Sequence, residues 1–127
     1  MAASPVFAVT PRIGNVSIAT AESSYTAPTN VGTLITGVAS GTRVAEVVVK
    51  TAATSAAAIV RLFLYDGTTY WLFDEITVAA ATGSATVQQT RVSTTYNNLI
   101  LPSASWSVRV TTSVAQATHV TALGADL

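Results

Sequence analysis

Apolar and polar residues alternate with a period of two along most of the chain, the repeat of a strand covered on one face. Trp106, Val108 and Val110 stand against Ser105, Ser107, Arg109 and Thr111, which predicts a strand with one apolar and one wet face. Over Arg43–Lys50, Ala45, Val47 and Val49 share one face. Val44, Glu46, Val48 and Lys50 share the other, a mixed face expected to be partly covered. Ile59–Tyr65 and Tyr70–Val78 flank Asp66-Gly67-Thr68-Thr69. An Asp-Gly between two alternating apolar runs is the strongest short-range hairpin signal, because glycine accepts a positive φ freely. A four-residue loop sets Tyr65 opposite Tyr70 and Arg61 opposite Asp74. Such cross-strand pairs contribute roughly 0.2–1 kcal/mol each. A two-residue turn would set Arg61 against Leu72, so the longer loop is preferred.

Further strands are predicted at Ile13–Ala19, Thr33–Val38, Ala85–Val92, Asn98–Leu101 and Thr118–Leu123. They are separated by Pro28 with Asn30 and Gly32, Gly37 to Gly41, Gly83, Asn97-Asn98, and Pro102. Turn signals at such short spacing indicate an all-β sandwich or barrel. Ala52–Ala58 has helix-favouring composition but is too short and too interrupted by Thr54 and Ser55 to be more than a connection. The segment 1–12 differs from the rest, with Pro5 and Pro11 among the apolar Val6, Phe7 and Val9. Two prolines exclude an interior strand over its whole length. The segment is expected to be an N-terminal arm, either an edge strand or an extension onto a neighbouring subunit, ahead of one domain over 13–127.

Composition narrows the possible functions. Only 9% of the residues are charged, six basic and six acidic, against about 25% in an ordinary soluble domain. Serine and threonine keep the surface polar in their place. The basic residues are dispersed, so the phosphate-neutralising patch that nucleic-acid binding needs is not expected, nor is an electrostatic membrane footprint. There is no cysteine, hence no disulfide framework. The N-terminus lacks a basic region followed by an apolar stretch, which predicts a protein made and kept without export. The most apolar run, Ala56–Leu64, is cut by Arg61 and is far shorter than the ~20 residues of a spanning helix. Asn15-Val16-Ser17 fits the glycosylation pattern, without a secretory route to give it meaning.

Candidate chemistry is sparse. His119 is the only histidine and has no set of metal-ligating partners, so a structural or surface role is expected. A catalytic triad is defined in space and not by order, but no Gly-x-Ser-x-Gly elbow is present. Asp74 and Glu75 are adjacent and on a strand point to opposite faces, so they do not form a carboxylate pair for acid–base work. No phosphate-cradling glycine loop occurs. Neither an enzyme nor a cofactor or metal is expected. Tyr65, Tyr70, Trp71 and Phe73 form the one aromatic concentration. It is either a core corner of the hairpin or a platform for stacking sugars or binding a partner.

The segments Val60–Ile76, Leu99–Val110 and His119–Leu127 carry a resemblance. Together with the Thr-rich early stretch and the Arg43–Lys50 strand, they are similar to small Thr/Ala-rich proteins of tailed-phage structural gene clusters, over roughly residues 15–127. The hairpin is the most specific part. That resemblance implies a capsid decoration (cement) protein, a jelly-roll-like sandwich of about eight antiparallel strands assembled as trimers on a phage head. The implied partners are the major capsid protein and further copies of the chain, and the implied location is the virion. Val6, Phe7, Val9, Arg12, Tyr70 and Trp71 are the candidate interface residues. A tail or head-fibre component, or a carbohydrate-binding module stacking sugars on Trp71 or Tyr70, are the alternatives.

Overall fold

The computed structural model describes residues 10–127, and these form eight strands and no helix. In chain order they are β1 (Thr10–Ile18), β2 (Gly32–Thr36), β3 (Thr42–Thr51), β4 (Ala58–Tyr65), β5 (Tyr70–Val78), β6 (Arg91–Leu101), β7 (Ser107–Thr112) and β8 (Thr118–Asp126). Two four-stranded sheets, ordered β1-β8-β3-β6 and β2-β7-β4-β5, pack face to face. Pairings between named strands are all antiparallel.

One rule generates this order. β4 pairs with β5, β3 with β6, β2 with β7 and β1 with β8. The chain is thus one long hairpin, centred on the Asp66–Thr69 loop. Pairing β3 with β8 and β4 with β7 rolls that hairpin up. The result is the eight-stranded jelly roll, an all-β sandwich whose edge strands are β1 and β6 in one sheet and β2 and β5 in the other.

The core lies between the sheets and is aliphatic. Val44, Val47 and Val49 of β3 face Val60 and Leu62 of β4 and Val108 and Val110 of β7, all fully or almost fully buried. β-Branched residues lose little by being held in a pleated strand, so valine both forms the strands and fills the space between them. Tyr96 and Trp106 close the margins of the cluster and are only half-buried.

The predicted alternation fails where the ladder slips. In β3, Val44 and Val47 are both in the core and Ala45 is exposed, reversing the expected places of Val44 and Ala45. The register shifts between Val44 and Glu46 against both neighbours, making Ala45 the unpaired residue of a bulge. Gly124 sits beside this bulge, where any Cβ would lie 1.9 Å from the Arg43 carbonyl oxygen. β6 absorbs the same irregularity over Tyr96–Asn98, so Asn97-Asn98 lies inside a strand instead of ending one.

In the β4–β5 hairpin, Tyr65 does pair with Tyr70 across a four-residue loop, with Gly67 at a φ of 98°. A bulge at Phe73 then shifts the register, and Arg61 meets Glu75 instead of Asp74. Ala85–Thr90 is not a strand: Ser84 Oγ accepts the N–H groups of Thr86 and Val87, a local turn that displaces the ladder. The wet face expected on β7 is covered, with Ser107 and Thr111 buried and Arg109 half-buried: β7 is central in its sheet, and Arg109 lies over the Tyr65 ring of β4 on that side.

Two substitutions test this arrangement by thermal or denaturant unfolding. Leu62→Ala, in the centre of the sandwich, is expected to cost about 2–5 kcal/mol. Gly124→Ala is expected to destabilise despite adding only a methyl group, since the β3 bulge leaves that methyl no space. A Gly124→Ala protein with unchanged melting would show that the bulge is misplaced.

Candidate protein-interaction surface

The β4–β5 hairpin ends in a turn whose rigidity comes from one carboxylate. Asp66 Oδ1 accepts the backbone N–H groups of Thr68 (2.8 Å) and Thr69 (2.7 Å), while Oδ2 accepts the Trp71 indole N–H (3.2 Å). These donors, Thr69 first, hold the Asp66 carboxyl below its usual range. The same contacts fix the direction of Trp71. Tyr70 is clamped behind it, tilted against Tyr65 at 4.3 Å and edge-on to Phe63 at 5.9 Å between ring centroids.

Register places Phe63, Tyr65, Tyr70 and Leu72 on the outer face of the second sheet. Arg61 and Glu75 lie on that face too. Arg61 is only 7% exposed, a low value for an arginine. Its Nε donates to Glu75 Oε1 at 3.0 Å and its Nη2 to the Tyr25 hydroxyl at 3.0 Å, with the guanidinium 4.3 Å from the Tyr25 ring centroid. Arg109 lies over Tyr65 in the same way, at 4.6 Å. This arginine–tyrosine layer explains how Phe63 is fully buried outside the main core. Its least satisfied point is the cross-strand pair Arg61 and Thr111. There Arg61 Nη1 and Thr111 Oγ1 are buried with no hydrogen-bond partner among the described residues.

β5 is the edge of its sheet, paired only with β4. Trp71, Leu72 and Phe73 are exposed there by 54%, 42% and 40%. Alternation predicts that one face of this run is core. The Phe73 bulge and the position at the sandwich margin leave both faces open instead. Phe73 stacks at 5.4 Å on Tyr96 of β6, and the Tyr96 hydroxyl donates to Asp74 Oδ2 at 2.7 Å, tying the two sheets together at this corner. Burial, helped by the neighbouring Asp74 carboxylate, pushes the Tyr96 hydroxyl pKa well up.

Of the residues proposed from sequence, the structure brings Tyr70 and Trp71 together and adds Leu72 and Phe73 to them. Three successive apolar residues in an alternating strand were the available signal for that addition. Arg12 lies elsewhere, away from this cluster. It belongs to β1, whose first three residues, Thr10–Arg12, pair with Gly124–Asp126, so the expected arm boundary at residue 12 falls inside a strand. Arg12 Nη1 donates to Asp126 Oδ1 at 2.8 Å and Nη2 to the Thr36 carbonyl at 3.0 Å, a bond within the chain. Val6, Phe7 and Val9 lie outside the described residues. His119 faces solvent between Ser17 of β1 and Lys50 of β3. No group of three or more His, Cys, Asp or Glu side chains gathers among the described residues.

The remaining charges are also committed internally. Lys50 donates to the Gln89 carbonyl, Arg43 to the Asn97 carbonyl and Arg109 to Ser107, while Glu46 accepts from Ser93. Glu22 organises the β1–β2 connection. Its Oε1 accepts the N–H groups of Asn30 (2.7 Å) and Thr29 (2.8 Å), and its Oε2 those of Ser23 and Ser24. This is the connection that carries Tyr25 to Arg61. Among the described residues, every acidic side chain, and every basic one except Arg91, thus bonds to a group of its own chain.

No family model and no curated protein matches the chain. Among solved structures, a chain in the structure of infectious bursal disease virus Gx strain is similar over 100% of this chain at 13% identity, with a TM-score of 0.21. The present chain spans 41% of that one. So low a score carries no structural argument, and the jelly-roll assignment rests on strand order alone.

The four backbone donors make the β1–β2 connection pH-sensitive. Backbone N–H groups, that of Asn30 foremost, lower the Glu22 pKa from 4.5 to about 2. A carboxylate with a depressed folded pKa stabilises above its unfolded value, and that contribution is lost as pH falls through the folded one. Amide protection at Thr29 and Asn30, taken relative to intrinsic exchange at each pH, is therefore expected to fall between pH 4.5 and about 2, and Glu22→Gln is expected to show the lower protection already at neutral pH. Protection independent of pH in that window, at equal global stability, would remove Glu22 from this role.

Proposed function

We propose that this chain is a structural virion protein, a decoration (cement) protein that binds the outside of a phage head and joins neighbouring subunits as a homo-oligomer. The observation that carries the reading is the internal commitment of the charges. A surface of serine, threonine and exposed apolar side chains, with almost no free ion, associates without the desolvation cost that buried ions impose. Burial of apolar area, at about 25 cal/mol per Å², then drives the contact. The resemblance of the hairpin to phage structural proteins supports a location in the virion.

An interface of this kind is insensitive to salt, because screening acts on exposed charges. Co-sedimentation of the purified protein with phage heads from the same gene cluster is expected to show saturable binding. Its affinity should change by less than about threefold between 0.05 and 0.5 M salt. A protein that stays a monomer and leaves the heads uncoated would end the proposal. Immunogold labelling on tails or fibre tips would replace it with the tail or head-fibre reading.

The exposed, fixed indole of Trp71 favours a second reading, a carbohydrate-binding module that stacks a sugar ring on it. A glycan array should then give hits that vanish in Trp71→Ala, and hits untouched by that substitution would dispose of the sugar platform.

A further inference from the structure

We propose that the open edge of β5 at Trp71-Leu72-Phe73 receives residues 1–9 of a second copy of this chain, which add there as an extra strand. The inference deepens the assembly reading above by naming the surface and its occupant.

The receiving edge is weakly protected. Edge strands are ordinarily blunted by lysine, proline, inward-pointing charge or a bulge; between Tyr70 and Asp74 β5 has only the Phe73 bulge and presents three consecutive apolar residues. Its far end is covered, since Ala79 and Ala81 bond to Thr90 and Ser55. The near end is not. There the Glu75 N–H turns to the Asp74 side chain at 2.8 Å, as an amide does when no strand lies alongside. The Asp66 network and the Tyr65–Tyr70–Phe63 packing hold the hairpin in one conformation, so little ordering cost remains at this end of the contact.

The occupant follows from what the sequence holds ahead of β1. Residues 1–9 carry no charged side chain and contain Val6, Phe7 and Val9. That chemistry matches an uncharged apolar edge. Pro5 lacks an N–H and sets the limit of pairing at Val6.

Reach decides which copy is served. β1 lies at the edge of its sheet diagonally opposite β5. With strands about 4.8 Å apart and sheets about 10 Å apart, three strand spacings and one sheet spacing separate β1 from β5 by roughly 17 Å. Extended chain advances about 3.4 Å per residue, so from Thr10 Phe7 reaches roughly 10 Å and Val6 roughly 14 Å. Neither arrives at its own β5. A neighbouring copy brought alongside β1 has no such gap. The contact is then heterologous, with the arm of one copy on the edge of the next, and closes into a ring when the rotation allows.

The absence of cysteine permits a direct test. Phe7→Cys in full-length protein carrying a mass tag is mixed with untagged Leu72→Cys under mild oxidation, and Trp71→Cys serves as a second acceptor should Leu72→Cys fold poorly. Thr95→Cys, exposed on the first sheet, is the collision control. The expected result is a reducible tagged–untagged dimer with an edge cysteine, at least tenfold more abundant than with Thr95→Cys. Equal linkage to the control, or linkage found only within one chain of a Phe7→Cys/Leu72→Cys double variant, would overturn the proposal. Head binding is a separate readout. Cross-linking without head binding fails the virion reading and leaves the arm-to-edge contact standing, and the reverse outcome fails the contact alone.

Discussion

Everything in this fold depends on each strand of the first half pairing with its mirror image about the Asp66–Thr69 loop. Once β4 lies on β5, the order of both sheets follows from continuing the same pairing outward and bending the ribbon over. The bend is possible because the inner faces are lined by small β-branched residues that mesh at any point along the roll. The ribbon also needs places where the ladder can slip, and the bulges at Ala45 and Phe73 supply them. Each leaves a surface feature: the Gly124 contact on one sheet and the open aromatic edge on the other.

Much of this was legible in the sequence. The hairpin, its loop length and the Tyr65–Tyr70 pair could be read because Asp-Gly and alternation report on neighbouring residues. Both limits of Tyr70–Val78 were correct. What alternation could not report is where a ladder loses a residue. It therefore misplaced Val44 and Ala45, paired Arg61 with Asp74, and expected a core face at Trp71–Phe73. Ala85–Thr90 alternates acceptably, but Ser84 satisfies its amides locally, a competition that pattern does not reveal. The burial of Arg61 depends on Tyr25, 36 residues away in sequence, and no local signal foretells it. The bond from Arg12 to Asp126, 114 residues on, has no local signal either.

The scarcity of charge has a structural use. Asp66 fixes the central turn, Glu22 the longest connection, Arg12 and Asp126 join β1 to β8, and Arg61 with Glu75 joins β4 to β5. Each ion stands at a point where backbone geometry alone leaves a freedom to be removed. The exterior is left to hydroxyls and a few rings. Hydroxyls lose little on desolvation when they can bond across a contact, so such an exterior is compatible with protein contacts.

The mirror-image pairing also nests the strand pairs one inside another. Each strand pair encloses the one formed before it, so closing β3 on β6 after β4 has met β5 constrains only the two connections between them. Loop-closure entropy grows slowly with loop length, and nesting converts one large loss into four small ones. The β1–β8 pair, the most distant in sequence, encloses all the others. The strand that leads directly into the N-terminal residues is thus the outermost turn of the roll.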